Sequence, residues 1–335
     1  MKIKGAFFNS EPDNISRIYN PEALKRIEKH VDLVPGVINP ENIEAHAGEL
    51  SECKAAFSTW GMPQFSAEEI MSFFPQLEIV LYGAGSVQRF ARPFLERGIT
   101  VVSAWGANGI PVAEFTASII MLCNKGFFPV RSAYPQIGHR NARNLSESFP
   151  GNFRTRIGII GAGMIGTLVI KLLLNTDLEI VVYDPFLADD RAAALGVSKV
   201  SLEELFETSS AVSNHLANLP ETKGILDGKY FNRMLPNGVF INTGRGAQVV
   251  EPDLMEALRK EPGRTAVLDV TDPEPVPPDS ELLTLPNVIL TPHIAGSTGK
   301  EVQRMGFFMA EEFIRFINGE PLRYSVTLEM LDRMA

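Results

Sequence analysis

Three residues whose side chains could assist the oxidation of a hydroxyl group stand in the second half of the sequence: Arg245, Glu274 and His293. An imidazole can take up a hydroxyl proton as hydride leaves and return it in the reverse reaction. A neighbouring carboxylate orients the ring and favours its protonated form. Arginine offers a planar fork of donors for a substrate carboxylate and carbonyl oxygen. We therefore predict a 2-hydroxy acid chemistry with His293 as general acid and base, Glu274 as its partner and Arg245 as the substrate-binding cation.

Each of these residues follows a short apolar run that predicts a β-strand. Six such runs are RIGII (156–160), EIVVYD (179–184), AVSNHL (211–216), VFINT (239–243), TAVLDV (265–270) and VILTP (288–292). Near-continuous apolar strands are typical of a parallel sheet covered on both faces, and six match a doubly wound dinucleotide-binding fold. Because ligands bind at the carboxyl ends of such strands, we expect the three residues at one edge of the sheet.

A glycine-rich loop follows the first of these strands. Gly161, Gly163 and Gly166 open the apolar helix MIGTLVIKLLLN. In this pattern the first glycine permits a tight turn, the second lets the backbone approach a pyrophosphate, and the third lets the helix pack on the strand. Asp184, which lies 18 residues beyond Gly166, could bind the ribose 2′-OH of NAD and would repel the 2′-phosphate of NADP. The alternative is a plain strand-to-helix turn with a surface aspartate.

The sequence before this loop predicts another α/β layer, because short β-rich runs alternate with helical patterns from residue 2 to 103. The stretch AWGANGIPVAEF then breaks the alternation. Pro111 suits a first helical position, which predicts a helix from there to about Asn124 that crosses into a second domain. Residues 131–155, rich in Arg, Asn, Ser and Pro, predict a loop. The overlapping stretch FFPVRSAYPQIGHRNARN is expected to be either an exposed basic loop or an arm that reaches across a dimer.

The C-terminal segment predicts a helix that returns the chain to the first domain. Its apolar residues recur at spacings of three and four before Asn318-Gly319, at Val302, Met305, Met309, Phe313 and Phe316. We therefore predict a discontinuous substrate domain, residues 1–107 plus 297–335, around an NAD-binding domain, residues 108–296.

Composition excludes several other classes of function. The net charge of -9 argues against a nucleic-acid partner, because a phosphate-binding surface needs clustered Lys and Arg. Cys53 and Cys123 are too few and too far apart for a disulfide framework or a metal cluster, so no metal is expected. Without a recognisable leader or a continuous apolar run of membrane-spanning length, we expect a cytoplasmic protein with no membrane partner.

The chain closely resembles the D-isomer-specific 2-hydroxyacid dehydrogenases over nearly its whole length. The matching stretches, in family order, are GIIGAGMIG, YDPF, LPETKGIL, INTGRGAQVVEPDLMEALR, LDVTDPEP and NVILTPHIAG. The resemblance implies a Rossmann NAD-binding domain with six parallel strands inserted into a flavodoxin-like α/β substrate domain. It also implies an NAD-dependent oxidoreductase that acts on a small 2-hydroxy or 2-oxo acid and forms a homodimer through the NAD-binding domain.

The resemblance further implies roles for individual residues. The catalytic set is Arg245, Glu274 and His293, and the backbone amides of Ala84 and Gly85 in YGAGS bind the substrate carboxylate with Arg245. Asp269 contacts the nicotinamide carboxamide and Asp184 the adenine ribose. The full set of implied cofactor contacts is Gly161, Gly163, Met164, Ile165, Gly166, Asp184, His215, Thr243, Gly244 and Asp269.

Some positions depart from the family pattern, and alternatives follow from the same residues. Val87 stands where the family has an aspartate, Ala217 where it has a proline, and Gly244 where it has a small side chain. One alternative is a corepressor-like protein that binds partners under the control of NAD(H). Glu274 argues against the related formate dehydrogenases, which carry glutamine there. A small 2-oxo acid is the expected substrate; 3-phosphoglycerate and phosphohydroxypyruvate are the alternative, for which Arg89 and Arg92 could supply cations.

Overall fold

The computed structural model describes residues 2–331 and divides the chain into two compact units. The first unit comprises Met1–Gly109 and Ser297–Ala335, and the second comprises Ile110–Gly296. Residues 1 and 332–335, which the predicted substrate domain includes, lie outside the described residues.

The first part of the chain alternates strands and helices. Its strands are β1 (Ile3–Phe8), β2 (Val31–Ile38), β3 (Ala55–Ser58), β4 (Ile79–Tyr82) and β5 (Thr100–Ser103). Its helices are α1 (Asp13–Ile18), α2 (Pro21–Ile27), α3 (Ala47–Leu50), α4 (Ala67–Phe73), α5 (Ala91–Glu96) and α6 (Trp105–Asn124). The runs KIKGAFF, AAFSTW, LEIVLY and ITVVS, which the sequence predicts as strands, are present as β1, β3, β4 and β5. Strand β2 is an additional one that the sequence pattern did not indicate.

Helix α6 begins earlier than predicted. Pro111 lies inside it rather than at its first position. Gly106 lies in its first turn, where the Cβ of any other residue would come within 2.5 Å of the Tyr324 ring. By length and composition α6 could cross a membrane, although half of its most apolar window is buried. Since core helices of soluble proteins have the same composition, this is weak support for a membrane span.

The segment predicted as a loop at 131–155 is mostly helical, which corrects that prediction. Helix α7 (Phe127–Ser146) follows a left-handed Gly126 and is kinked at Gly138, whose φ is 74°. The two glycines and Pro135 obscured the helical pattern. Gly126 precedes the first residue of the helix, Gly138 lies at the kink, and Pro135 lies inside the helix.

The second unit continues with strands β6 (Arg156–Ile160), β7 (Glu179–Tyr183), β8 (Ser198–Lys199), β9 (Ala211–Asn214), β10 (Val239–Asn242), β11 (Thr265–Leu268) and β12 (Val288–Leu290). Its further helices are α8 (Met164–Leu173), α9 (Asp189–Leu195), α10 (Leu202–Thr208), α11 (Gly228–Phe231) and α12 (Glu251–Lys260). The chain then returns to the first unit through α13 (Val302–Ile317), β13 (Ser325–Val326) and α14 (Leu328–Leu331). Short 3₁₀ turns lie at Ile43–His46, Pro220–Thr222, Gly246–Gln248, Glu281–Leu283 and Gly299–Glu301.

The sheet of the first unit has the strand order β13-β5-β4-β3-β1-β2. The five strands β1 to β5 are parallel in a flavodoxin-like order, and β13 adds an antiparallel edge. Alternate side chains of β4 enter two separate cores: Ile79 and Leu81 face one, and Val80 and Tyr82 the other. The sheet is therefore covered on both faces, with α13 on one of them.

The sheet of the second unit is entirely parallel, in the order β12-β11-β10-β9-β6-β7-β8. The six predicted strands are present, and the two-residue strand β8, too short and polar to predict, makes a seventh. The strand order reverses between β6 and β9, which creates the crevice where ligands bind in this architecture. The carboxyl ends of β6, β9, β10 and β11 meet along that edge.

Candidate active site

The glycine loop turns sharply from β6 into α8. Gly161 has a φ of +85°, and a side chain on it would come within 2.8 Å of the His215 carbonyl oxygen. A Cβ on Gly166 would lie 1.9 Å from the Gly161 oxygen, so only glycine allows α8 to pack this closely on the turn. Gly163, in contrast, has open space around the same position. The loop therefore leaves room for a phosphate group at the N-terminus of α8.

Asp184 follows β7 and braces the glycine loop. Its Oδ2 atom accepts a hydrogen bond from the Ala162 amide at 2.8 Å, and its Oδ1 atom accepts one from the Phe186 amide at 2.8 Å. Each carboxylate oxygen can accept a further bond, so these contacts leave capacity for a ribose hydroxyl. The guanidinium of Arg191 lies 3.5 Å from the Ala162 carbonyl oxygen, a cation near the loop that the sequence analysis did not identify.

His215 follows β9, where the strand order reverses. Burial lowers the pKa of His215 to about 4, so the imidazole is neutral near pH 7. Its Nε2 atom lies 2.9 Å from the Ser213 hydroxyl. The His215 amide donates to the Ile160 oxygen at 2.8 Å, which ties this segment to the end of β6.

Two other predicted cofactor residues, Thr243 and Gly244, form hydrogen bonds within the second unit. The Thr243 hydroxyl lies 3.0 Å from that of Thr116, and both side chains are buried. The Gly244 amide donates to Asn242 Oδ1 at 3.0 Å. These bonds fix the turn that follows β10 and precedes Arg245.

His293 and Glu274 form a direct pair at the carboxyl edge of the sheet. The His293 Nδ1 atom lies 2.8 Å from Glu274 Oε1, and both side chains are nearly half exposed. His293 adopts a φ of 55°, in the left-handed region that residues other than glycine rarely enter. This bond to Nδ1 leaves the opposite ring nitrogen, Nε2, available for a substrate.

Arg245 lies close enough to this pair for the charge of Glu274 to act on it. Its Nη1 atom donates to the Gly244 carbonyl oxygen at 2.7 Å. Desolvation lowers the pKa of Arg245, and the charge of Glu274 opposes that shift. The three residues predicted to perform chemistry are therefore brought together in one unit, where the Glu274 carboxylate contacts the His293 ring and its charge acts on Arg245.

Asp269 holds the loop that carries His293. Its Oδ1 atom accepts hydrogen bonds from the Thr291 hydroxyl at 2.5 Å and the Ile294 amide at 2.8 Å, and its Oδ2 atom accepts one from the Ala295 amide at 2.9 Å. Its carbonyl oxygen also accepts from the His293 amide at 3.0 Å. Asp269 is almost fully buried, so its carboxylate acts on this loop, a contact that the sequence did not indicate.

A buried amide network supports the turn of Arg245. Asn214 donates to Asn242 at 3.1 Å and to Gln248 at 2.6 Å, and Asn242 donates to the Arg245 carbonyl oxygen at 2.9 Å. Gln248 donates in turn to the Ala217 carbonyl oxygen at 2.8 Å. The segment that lacks the family's proline at Ala217 is thus fixed through Gln248. Polar residues at the ends of otherwise apolar strands were the only sequence signal for this network.

The predicted substrate loop lies in the first unit, after β4. The Ala84 amide donates to the Tyr82 oxygen at 2.8 Å, which closes a tight turn, and Ala84 is fully buried. The buried Ser103 hydroxyl donates to the Ala84 oxygen at 3.0 Å and also contacts the Gly85 oxygen. Val87, where the family has an aspartate, is fully buried in the apolar core. Ser103 therefore supports this loop from the neighbouring strand.

Comparisons with known proteins agree with this arrangement. The NAD-binding domain of the D-isomer specific 2-hydroxyacid dehydrogenases matches residues 133–295. A glyoxylate reductase from Korarchaeum cryptofilum is 30% identical over 91% of this chain and 92% of its own length. The chain belongs to the D-isomer specific 2-hydroxyacid dehydrogenase family.

Other members of the family differ in length or in sequence. A D-3-phosphoglycerate dehydrogenase from Archaeoglobus fulgidus is 30% identical over 71% of this chain but only 44% of its own length. The chain thus spans about half the length of the first curated relatives it matches. The D-mandelate dehydrogenase structure from Rhodotorula graminis shares the fold, with a TM-score of 0.78, 20% identity and coverage of 97% of this chain and 98% of that one.

The cofactor of this family's nucleotide-binding domain is NAD, and the residues of the second unit fit it. The open space around Gly163 and the N-terminus of the ten-residue helix α8 suit the pyrophosphate. Asp184, at the end of β7, suits the adenine ribose and disfavours a 2′-phosphate. Bound NAD supplies a hydride acceptor at its nicotinamide ring, which the chain's own side chains cannot provide.

Proposed function

We propose that this protein interconverts a D-2-hydroxy acid and its 2-oxo acid with NAD(H). The observation that carries the proposal is the 2.8 Å contact between His293 Nδ1 and Glu274 Oε1, together with the charge of Glu274 acting on Arg245. These residues follow strands of the same parallel sheet as the glycine loop. A general base, a carboxylate that stabilises its protonated form and a cation for the substrate are the groups that this reaction needs. The family membership supports the same reaction.

His293 handles the proton in the proposed mechanism. With its Nδ1 proton donated to Glu274, Nε2 has a free lone pair that accepts the proton of the substrate hydroxyl. The resulting imidazolium is stabilised by the Glu274 carboxylate and returns the proton in the reverse direction. Arg245 binds the substrate carboxylate and carbonyl oxygen, for which it exchanges its present bond to the Gly244 oxygen.

We propose further that residues 1–107 with 297–335 act as the substrate domain and residues 108–296 as the NAD-binding domain. In the first domain, backbone amides at Ala84 and Gly85 bind the substrate carboxylate, for which the Ala84 amide exchanges its present bond to the Tyr82 oxygen. In the second, the glycine loop, Asp184, His215, Thr243, Gly244 and Asp269 line the cofactor, either by direct contact or by holding the backbone that contacts it.

A cytoplasmic homodimer is also part of the proposal. Large apolar side chains are exposed on α6, on α7 and shortly after it, and we propose them as the protein interface of the second unit; they are Met121, Leu122, Phe127, Tyr134 and Phe153. Sedimentation equilibrium of the purified protein should give twice the chain mass, and Phe127→Glu should shift it toward the monomer. A monomeric wild type would contradict the dimer.

The reaction itself is tested by following NADH oxidation against a panel of 2-oxo acids. We expect turnover with NADH in preference to NADPH, and a loss of about 10²- to 10⁴-fold in kcat for His293→Ala. The variant should bind NADH as tightly as the wild type in a fluorescence titration. Tight NADH binding without turnover of any acid would contradict the proposed enzyme and favour a cofactor-controlled binding protein.

A further inference from the structure

A backbone contact joins the turn of Arg245 to the loop that carries Glu274. Gly246 follows Arg245 directly. A Cβ on Gly246 would lie 2.0 Å from the Thr271 carbonyl carbon and 2.5 Å from the Asp272 nitrogen, so only glycine lets the two segments approach this closely. The two segments therefore pack backbone against backbone, at positions close in sequence to Arg245 and Glu274.

The side chain of Glu251 holds the same loop by a hydrogen bond. Glu251 is the first residue of helix α12, and its Oε1 atom accepts a hydrogen bond from the Asp272 amide at 2.9 Å. The Thr271 hydroxyl donates to the Pro273 oxygen at 2.8 Å, which closes the loop on itself. Because Glu251 and Asp272 are 21 residues apart in sequence, their bond is a tertiary contact between α12 and the loop.

The surroundings of Glu251 disfavour its ionised form. Burial raises the pKa of Glu251, the hydrogen bond from the Asp272 amide opposes that shift, and the charge of Asp272 adds to it. A fully exposed acid in the first turn would interact with the helix dipole without this cost. The bond to the loop therefore explains the partly buried position of Glu251 better than helix stability alone.

The position of Glu274 depends on the backbone of this loop. Its side chain and that of His293 are nearly half exposed, so packing contributes little to holding them in place. Pro273 and Pro275 flank Glu274, and the proline ring fixes φ at both positions. A displacement of Asp272 is therefore passed on to Glu274, because few rotatable bonds lie between them. A shift of about 1 Å at a catalytic group can lower the rate by about 10²-fold.

We propose that Glu251 is a positioning residue for the reaction, whose bond to the Asp272 amide sets the place of Glu274 against His293. This assignment rests on the proposed function, since it takes Glu274 and His293 as the acid–base pair. Glu251 has no contact with the substrate in this assignment, and its effect on the rate passes through Glu274. The oxygen that accepts the amide bond is the part of the side chain that matters, and its negative charge is not required.

Asp253 provides a matched control on the same helix. It also lies in the first turn of α12, and its Oδ2 atom accepts a hydrogen bond from the Gly228 amide at 2.8 Å. The segment of Gly228 carries none of the proposed catalytic residues. Glu251→Ala and Asp253→Ala therefore remove equivalent contacts and should lower the melting temperature by similar amounts, but only Glu251→Ala should lower kcat.

Steady-state kinetics with NADH and the best 2-oxo acid of the panel test the role in the reaction. We expect Glu251→Ala to lower kcat by about tenfold with KM for NADH unchanged. Glu251→Gln keeps the acceptor oxygen and should stay within about twofold of the wild type. Glu251→Met, which keeps the length of the side chain without the acceptor, should repeat the loss seen with alanine.

A second kinetic comparison tests whether the effect passes through Glu274. In a Glu274→Gln background, Glu251→Ala should cause no further loss of kcat. Equal kcat values for Glu251→Ala and Asp253→Ala, equal losses for Glu251→Ala and Glu251→Gln, or a full tenfold loss in the Glu274→Gln background would each overturn the proposal.

A spectroscopic test separates this inference from the reaction, because it needs no turnover. The ring nitrogen resonances of His293 in NMR spectra, assigned by their absence in His293→Gln, report the contact of Nδ1 with Glu274. We expect Glu251→Ala to shift them in the direction seen in Glu274→Gln, and Asp253→Ala to leave them unchanged. If no acid is turned over and this difference persists, the proposed reaction is wrong while Glu251 still positions Glu274. Unchanged resonances in Glu251→Ala would overturn the inference.

Discussion

The Nδ1 atom of His293 lies 2.8 Å from the Oε1 atom of Glu274. This contact predicts that the two residues act as one unit. Glu274→Gln keeps a side-chain oxygen that can accept the ring N–H but removes the charge that stabilises the imidazolium. We expect kcat to fall by about tenfold to hundredfold, with NADH affinity unchanged.

A double-mutant cycle tests this coupling. If the pair acts together, His293→Gln combined with Glu274→Gln should be little slower than His293→Gln alone. Steady-state kinetics at saturating NADH measure all three variants. Losses that multiply in the double variant would show that Glu274 acts independently of His293.

Asp269→Asn should slow catalysis by releasing the loop of His293. The substitution replaces one carboxylate oxygen by an NH2 group. This group is itself a donor and cannot accept the hydrogen bond from the Ala295 amide or the Ile294 amide. We expect a loss of about 1–3 kcal/mol in the free energy of unfolding and a lower kcat. Hydrogen exchange at residues 291–295 should accelerate. If kcat falls while exchange there stays unchanged, Asp269 acts on the cofactor rather than on the loop.

The glycine loop offers a matched pair of substitutions. Gly166→Ala places a methyl group 1.9 Å from the Gly161 oxygen, so the turn must shift and the melting temperature should fall. Gly163→Ala meets no neighbouring atom within 4 Å and should leave the melting temperature unchanged. It should nevertheless weaken NADH binding by about tenfold, because the methyl group occupies the space proposed for the pyrophosphate. Unaltered NADH affinity in Gly163→Ala would place the phosphates elsewhere.

Local patterns predicted the sheets, and the grouping of the three candidate site residues, better than they predicted the connecting helices. Near-continuous apolar strands indicated the parallel sheet, and its carboxyl edge follows from parallel geometry, so the sequence alone was enough to group Arg245, Glu274 and His293. Helix α7 could not be predicted in this way, because its Pro and Gly residues give the local composition of a loop. The role of Asp269 could not be predicted either, since its partners are backbone amides about 25 residues away, and sequence carries no direct record of such contacts.

His215 predicts a pH dependence of stability. Its pKa falls from about 6.5 in the unfolded chain to about 4 in the folded protein. The unfolded state therefore binds the proton first, and stability present above pH 6.5 is lost as the pH falls toward 4. The contribution is at most about 1.4 kcal/mol for each pH unit in that window. Urea unfolding at pH 7.5, 6 and 5 measures the free energy of unfolding. As the pH falls, this free energy should decrease less for His215→Gln than for the wild type. Parallel losses in the two proteins would show that His215 is solvated.

Ser103 predicts a selective effect on the acid substrate. Its fully buried hydroxyl donates to the Ala84 oxygen, so Ser103→Ala leaves a buried carbonyl without that donor and should lower the free energy of unfolding by about 1–3 kcal/mol. If Ala84 and Gly85 bind the substrate carboxylate, the loosened loop should raise KM for the 2-oxo acid by about tenfold and leave KM for NADH unchanged. Ser86→Ala, in the exposed part of the same loop, is the control and should change neither stability nor KM. A stability loss in Ser103→Ala with no rise in KM for the acid would mean that this loop is structural and that the substrate carboxylate binds without it.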